Sequence, residues 1–123
     1  MDVKDNKMEE LIGHVFAIRD AAHKAHFSTK SFSQHMALGD FYDQIIDRID
    51  DIVESYQGTF GLVGDIRRID LNRGEIVNQI KSELVWIMQN REKISKQNSM
   101  IENLIDGLME VYSTTIYKLV NLK

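Results

Sequence analysis

Apolar residues recur along most of this chain at steps of three and four, and the runs are separated by polar or glycine-rich breaks. Met8, Leu11, Ile12, Val15, Ile18 and Ala22 mark one face of a helix over about residues 6–27. Ser28 to Ser31 interrupt that run, and Ser31 followed by Gln34 has capping-box spacing, which predicts a second helix starting there. Its stripe is Leu38, Phe41, Ile45, Ile49, Ile52 and Tyr56, sustained for about seven turns. Between Gly58 and Gly74 the period fails, and glycines at 58, 61, 64 and 74 predict a long connection with room for a short helical turn. A third helix, about 75–95, carries Ile76, Val77, Ile80, Leu84, Ile87, Met88 and Ile94. A fourth, about 99–121, carries Ile101, Leu104, Ile105, Leu108, Tyr112, Ile116 and Leu119. Ser99 and Glu102 supply capping-box spacing after the polar Lys96-Gln97-Asn98 break.

Two helical hairpins joined by a connection long enough to run back along them make an all-α four-helix bundle with one crossover between the second and third helices, the connectivity of ferritin-like folds. The 123 residues form one domain, 1–123. The absence of proline beside 43% hydrophobic residues agrees with long helices. With no cysteine, disulfides, thiolate metal sites and cysteine nucleophiles are excluded, so any metal is held mainly by nitrogen and oxygen. A net charge of −4 disfavours free nucleic acid as a partner. No apolar run approaches a membrane span, and the start MDVKDNKMEE is too acidic and polar for a signal peptide, so the expectation is a soluble intracellular protein without a membrane partner.

Candidate chemistry lies in the first half. His14, His23, His26 and His35 all precede residue 36, and the last three gather where the first hairpin should turn. One histidine alone is more often an ordinary hydrogen-bonded side chain than a ligand. The second helix adds Asp40, Asp43, Asp47, Asp50, Asp51 and Glu54, which as a run would be a solvated face. With His35 set at zero and roughly 100° per residue, the core stripe lies near 285°, whereas Gly39, Ile46, Asp50, Val53 and Glu54 fall between about 0° and 100°. Ile46 and Val53 make that second face suited to another chain. His35 and Asp50 are about 22 Å apart on one helix and cannot share a metal. Two antiparallel copies of the helix about a two-fold axis would bring His35 of one chain to Asp50 and Glu54 of the other, with His26 close by across the hairpin. Such donors suit iron, manganese or zinc. The intrachain Glu-x-x-His motif of di-iron bundles is absent, since Leu11, Asp20, His23 and Phe32 stand three residues before the histidines.

His26-Phe27, Phe32, His35, Phe41 and Asp50-x-x-x-Glu54 together resemble the Dps family of ferritin-like proteins, as does the closing Thr115-Ile116-Tyr117-Lys118-Leu119. The resemblance implies that His26, His35, Asp50 and Glu54 are ferroxidase-site ligands between subunits, with no catalytic residue apart from the ligands. It further implies Fe(II) oxidation by peroxide or oxygen, protection against oxidative damage, and iron storage in a hollow dodecamer built on the antiparallel second-helix dimer. Asp40 and His23 are auxiliary candidates. A further carboxylate expected one turn after the second histidine is Gly39 here, with Asp40 adjacent, and no basic N-terminal tail precedes the first helix, so DNA binding is expected to be weak or absent.

The segment from Lys30 to Asp43 also looks like short ferritin-like proteins encoded by bacteriophages. That likeness carries the alternative of a non-catalytic assembly protein with its metal site partly or wholly lost, cytoplasmic or virion-associated. Arg67, Arg68 and Arg73 read as a solvated loop. Nothing resembling Gly-Lys-Ser or Gly-Lys-Thr follows the glycines, so nucleotide binding is disfavoured.

Overall fold

The computed structural model describes residues 6–122. The N-terminal residues 1–5, on which part of the acidic-leader reading rests, and Lys123 lie outside the described residues. Four helices, α1 (Lys7–Ser28), α2 (Phe32–Phe60), α3 (Ile76–Ser95) and α4 (Ser99–Asn121), make up the fold, with no strand among the described residues.

Three of the four helices start where a side chain satisfies a first-turn N–H, while Glu75 ahead of α3 makes no such bond. Asn6 accepts from Glu9 N–H and Ser31 from Gln34 N–H, so these side chains cap α1 and α2. The capping box at Ser31 is only half formed: Gln34 Oε1 accepts from the Thr29 hydroxyl, and Ser31 N–H donates to that same hydroxyl. For α4 the cap is Asn98, which accepts from Ile101 N–H, and Ser99 is already inside the helix. The expected Ser99 cap is therefore displaced by one residue, since an amide side chain at 98 reaches the same orphan donor. α2 also runs through Gly58 to Phe60, past its expected end. A glycine in an exposed turn costs only about 1 kcal/mol, and the helix stops instead at Gly61, whose φ of 104° suits a residue without Cβ.

α1 packs on α2 and α3, and α4 packs on the same two. The stripe Leu38, Phe41, Ile45, Ile49, Ile52 and Tyr56 is buried, facing Leu11, Val15 and Ile18 of α1 and Ile105, Leu108 and Tyr112 of α4 in one core with Ile80 and Ile87. Fully burying one such side chain is worth about 1.5–3 kcal/mol, so this stripe dominates the stability of α2.

The connection from α2 to α3 contains no helical turn. It travels as an extended strap along α1. Asn6 Nδ2 donates to the Val63 carbonyl at 3.5 Å, and Arg67 donates to Glu9 through its backbone N–H at 2.7 Å and its Nε at 3.1 Å. Ile69 then fills a notch at Gly13, where a Cβ would stand 2.7 Å from Ile69 Cγ1 and 2.8 Å from the Arg67 carbonyl oxygen. Farther on, Gly74, Glu75 and Ile76 share a shallow pocket with Ala25, Ser28 and Leu119 at the other end of the bundle. Burial pushes the Glu9 carboxyl up, but the hydrogen bonds and charge of Arg67 outweigh that and hold it below its ordinary 4.5. The clamp thus stabilises the fold above the ordinary glutamate range and is lost as pH falls through the depressed value. Arg67 is not the freely solvated loop cation expected from the sequence: its backbone and side chain fasten the strap. Arg68 and Arg73 are exposed.

Candidate functional site

The last turn of α1 and the first turn of α2 bring His26 and His35 face to face, with ring centroids 3.7 Å apart and planes 17° from parallel. Each ring is fixed by the other residue's backbone: His26 Nδ1 lies 2.6 Å from the His35 carbonyl oxygen, and His35 Nδ1 lies 2.9 Å from that of His26. Because a carbonyl only accepts, each Nδ1 carries the proton, and in the neutral imidazole Nε2 keeps its lone pair. Neither Nε2 has a hydrogen-bond partner among the described residues. A carbonyl behind Nδ1 is also the support that orients histidines whose Nε2 binds a metal. The contact has a local cause as well. The His26 carbonyl belongs to the final turn of α1, where no helical donor follows, and His35 supplies the missing N–H.

Gly39 makes room for this stack. A Cβ at position 39 would stand 3.1 Å from Cε1 and 3.4 Å from Nδ1 of His26, so the imidazole occupies the space that a side chain would take. His23 completes an aromatic wall, stacked on Tyr42 at 4.2 Å and Phe27 at 4.9 Å, with its edge 6.3 Å from His26 by centroid. Tyr42 meets His26 edge-on at 5.5 Å.

The carboxylates are elsewhere. Asp40, Asp50 and Glu54 are exposed on α2, and Asp50 lies about four turns beyond His35. Among the described residues no three His, Asp or Glu side chains approach closely enough to hold a metal within one chain. The structure therefore brings His26 and His35 together, with His23 alongside, and leaves Asp50 and Glu54 apart from them. On the second face of α2, Val53 is partly covered by the chain's own strap, sharing a shallow groove with Val63 and Ile66. That narrows the surface free for another chain to its exposed positions, among them Phe32, Met36, Asp43, Asp47, Asp50 and Glu54.

A second polar cluster lies between α1 and α3. His14 Nδ1 sits 2.8 Å from Glu83 Oε1, and Glu83 is buried. The His14 ring stacks on Trp86 at 3.9 Å. Tyr112 of α4 is fully buried nearby, its hydroxyl without a partner, and burial together with the Glu83 charge pushes that phenol far up. Sequence reasoning passed over this pair, although a signal existed. Glu83 stands three residues after Ile80 and four before Ile87, and His14 three after Leu11 and four before Ile18, so both polar residues sit on core stripes. Complementary polar residues on two apolar stripes predict an interhelix pair.

Four α-helices with a histidine-paired hairpin define an all-helical bundle, and the chain belongs to a family of unknown function, DUF5856, whose model matches residues 26–119. All four expected ligands fall inside that match. The chain is also similar to an uncharacterized 14.6 kDa protein from the mobD-ri intergenic region of Enterobacteria phage T4, with 36% identity over 58 residues. That alignment covers 47% of this chain and 45% of the phage protein, so the match spans under half of the relative's length. No solved structure matches the chain. Among the described residues no helix is long and apolar enough to cross a membrane.

Proposed function

We propose that the protein is a Dps-like, iron-binding bundle whose ferrous site is shared between two chains, His26 and His35 from one and Asp50 and Glu54 from the other. One observation carries this reading: both imidazoles are anchored through Nδ1 to backbone carbonyls, leaving Nε2 of each as a preoriented donor. The ferritin-like connectivity is supported by the strap that follows α1 between two antiparallel hairpins. Ferrous iron is here the substrate. Two Fe(II) give up two electrons, and one hydrogen peroxide with two protons becomes two waters. The chain's part is to hold the ions with neutral nitrogen and anionic oxygen donors, of a kind that also accepts zinc or manganese. Storage of the ferric product in a dodecameric shell, and protection from oxidative damage in the cytoplasm of a host cell, follow from the same reading.

A second reading is favoured by a specific feature. The reciprocal histidine bonds also close the end of α1, so the pair has a structural use in a non-catalytic assembly protein of a phage. Anaerobic Fe(II) titration followed by peroxide separates the two. The iron reading expects saturable binding and ferric product, with affinity reduced about tenfold or more in Asp50→Ala, whose exposed side chain leaves the fold intact. Binding equal in wild type and Asp50→Ala, or no binding at all, leaves the structural reading.

A further inference from the structure

The polar pair between α1 and α3 has no part in the proposed iron site, and its hydrogen bonding is incomplete. Glu83 is only 6% exposed, yet its side chain has one partner among the described residues, His14 Nδ1, 2.8 Å from Oε1. A carboxylate has about four acceptor positions, and a charge this enclosed is costly unless it is paired and fully hydrogen-bonded. Tyr112 does not supply a missing bond, since its own hydroxyl is enclosed and without a partner. Glu83 Oε2 and His14 Nε2 also lack partners among the described residues, but neither is sealed in the core. Both residues line a cleft of about 200 Å3 that is completed by strap residues 70–74 and by Asn78, Gln79 and Ser82 of α3. Gln79 holds the strap there, donating to the Asn72 carbonyl at 2.9 Å. The unmet acceptors of a buried pair thus open on a small space with polar walls.

We propose that this cleft binds a small primary ammonium ion, with Glu83 as its anionic anchor and the His14 ring, stacked on Trp86 at 3.9 Å, as one wall. The sign of the ligand follows from the fixed charges. Glu83 has given up most of its water and keeps an unpaired oxygen, so a cationic N–H group there makes the charge-assisted bond that the fold leaves unmade. Asp70 adds a second carboxylate to the cleft, although Arg68 holds it at 3.0 Å, and Arg73 opposes with one guanidinium. An anion would meet the unshielded Glu83 charge with repulsion. A bare metal ion is no better served, because among the described residues no three His, Asp or Glu side chains converge to coordinate one. An ammonium group needs only acceptors, and the amide oxygens of Asn72 and Asn78 are available beside Glu83. Size sets the rest: the cleft is smaller than the roughly 300–1,000 Å3 of pockets that hold drug-sized molecules, which limits the ligand to a short aliphatic amine. Such an occupant touches the strap and both helices, and so fastens the stretch of strap that lies beyond the Glu9–Arg67 clamp.

Titration of the metal-free chain with propylammonium chloride at constant ionic strength tests this, read by calorimetry and by the emission of Trp86, the single tryptophan of the sequence. The expected result is saturable binding with a change in Trp86 emission. Propionate, which has the wrong sign, and tetramethylammonium, which has no N–H donor, should give neither. Glu83→Gln keeps an oxygen for His14 but loses the charge, and should raise the dissociation constant about tenfold or more. Arg73→Gln, at an exposed position, removes the opposing charge and should lower it about twofold. Should Glu83→Gln fail to fold, Ser82→Leu, an exposed position on the cleft wall, fills the space and should abolish binding in a folded chain. Absence of saturable binding, equal binding of propionate, or affinity unchanged in folded Glu83→Gln or Ser82→Leu overturns the proposal. So does saturation by Mn(II) that propylammonium cannot displace.

Discussion

Between α1 and α2 the chain reverses through Thr29, Lys30 and Ser31, and between α3 and α4 through Lys96, Gln97 and Asn98. The second turn is closed by backbone and ordinary caps. Lys96 and Gln97 take left-handed φ values of 53° and 63°, Gln97 N–H reaches the Glu92 carbonyl, and Asn98 caps α4. Lys96 also lays its ammonium 4.7 Å from the centre of the Phe60 ring, tying that turn to the end of α2. The first turn has no left-handed residue, and two imidazoles from different helices close it by exchanging bonds with each other's carbonyls. A three-residue reversal thus needs no histidine. The pair adds to the Ser31 and Thr29 caps that the first turn already has, and the proposed metal site rests on that addition.

The comparison can be broken in three places. Replacing both histidines, His26→Ala with His35→Ala, removes two hydrogen bonds and the stack, and should lower the unfolding free energy by about 2–3 kcal/mol in urea denaturation. A change under about 0.5 kcal/mol would mean that the imidazoles do not hold this turn. Asn98→Ala should cost about 1 kcal/mol by removing the α4 cap, with Fe(II) binding unchanged. Loss of metal binding in that variant would erase the distinction between the two ends. The smallest effect has the opposite sign: Gln97→Gly relieves a left-handed non-glycine residue and should raise stability by roughly 0.5–1 kcal/mol. A lower melting temperature there would show that Gln97 makes a contribution beyond its backbone shape.

Much of the bundle was legible because burial imposes a period. The α2 stripe from Leu38 to Tyr56 is buried at every position read from the sequence, and the ends of α3 were placed within a residue. What the period cannot carry is pairing between distant segments. Glu9 and Arg67 are 58 residues apart, and no local rule links a first-turn glutamate to a loop arginine. The continuation of α2 through Gly58 has a different origin: a single glycine is a weak helix breaker, and beyond it the half-exposed Phe60 ring still packs on Tyr56, the last residue of the buried stripe. At the candidate site, the meeting of His26 and His35 followed from hairpin geometry, but the exchange of Nδ1 bonds did not, because it depends on ring rotamers. Asp50 and Glu54 are exposed on α2, four turns or more from the histidines, as the rise of one helix requires.

Position 39 has a consequence for the coordination chemistry this backbone can support. An aspartate or glutamate there would press its Cβ to within 3.1 Å of the His26 ring, which has to shift by a few tenths of an ångström to admit it. In the proposed site an extra oxygen donor at this position therefore comes with a displacement of the stacked imidazoles. Under the proposed reading, a single codon there would add oxygen donation at the expense of the present imidazole stack.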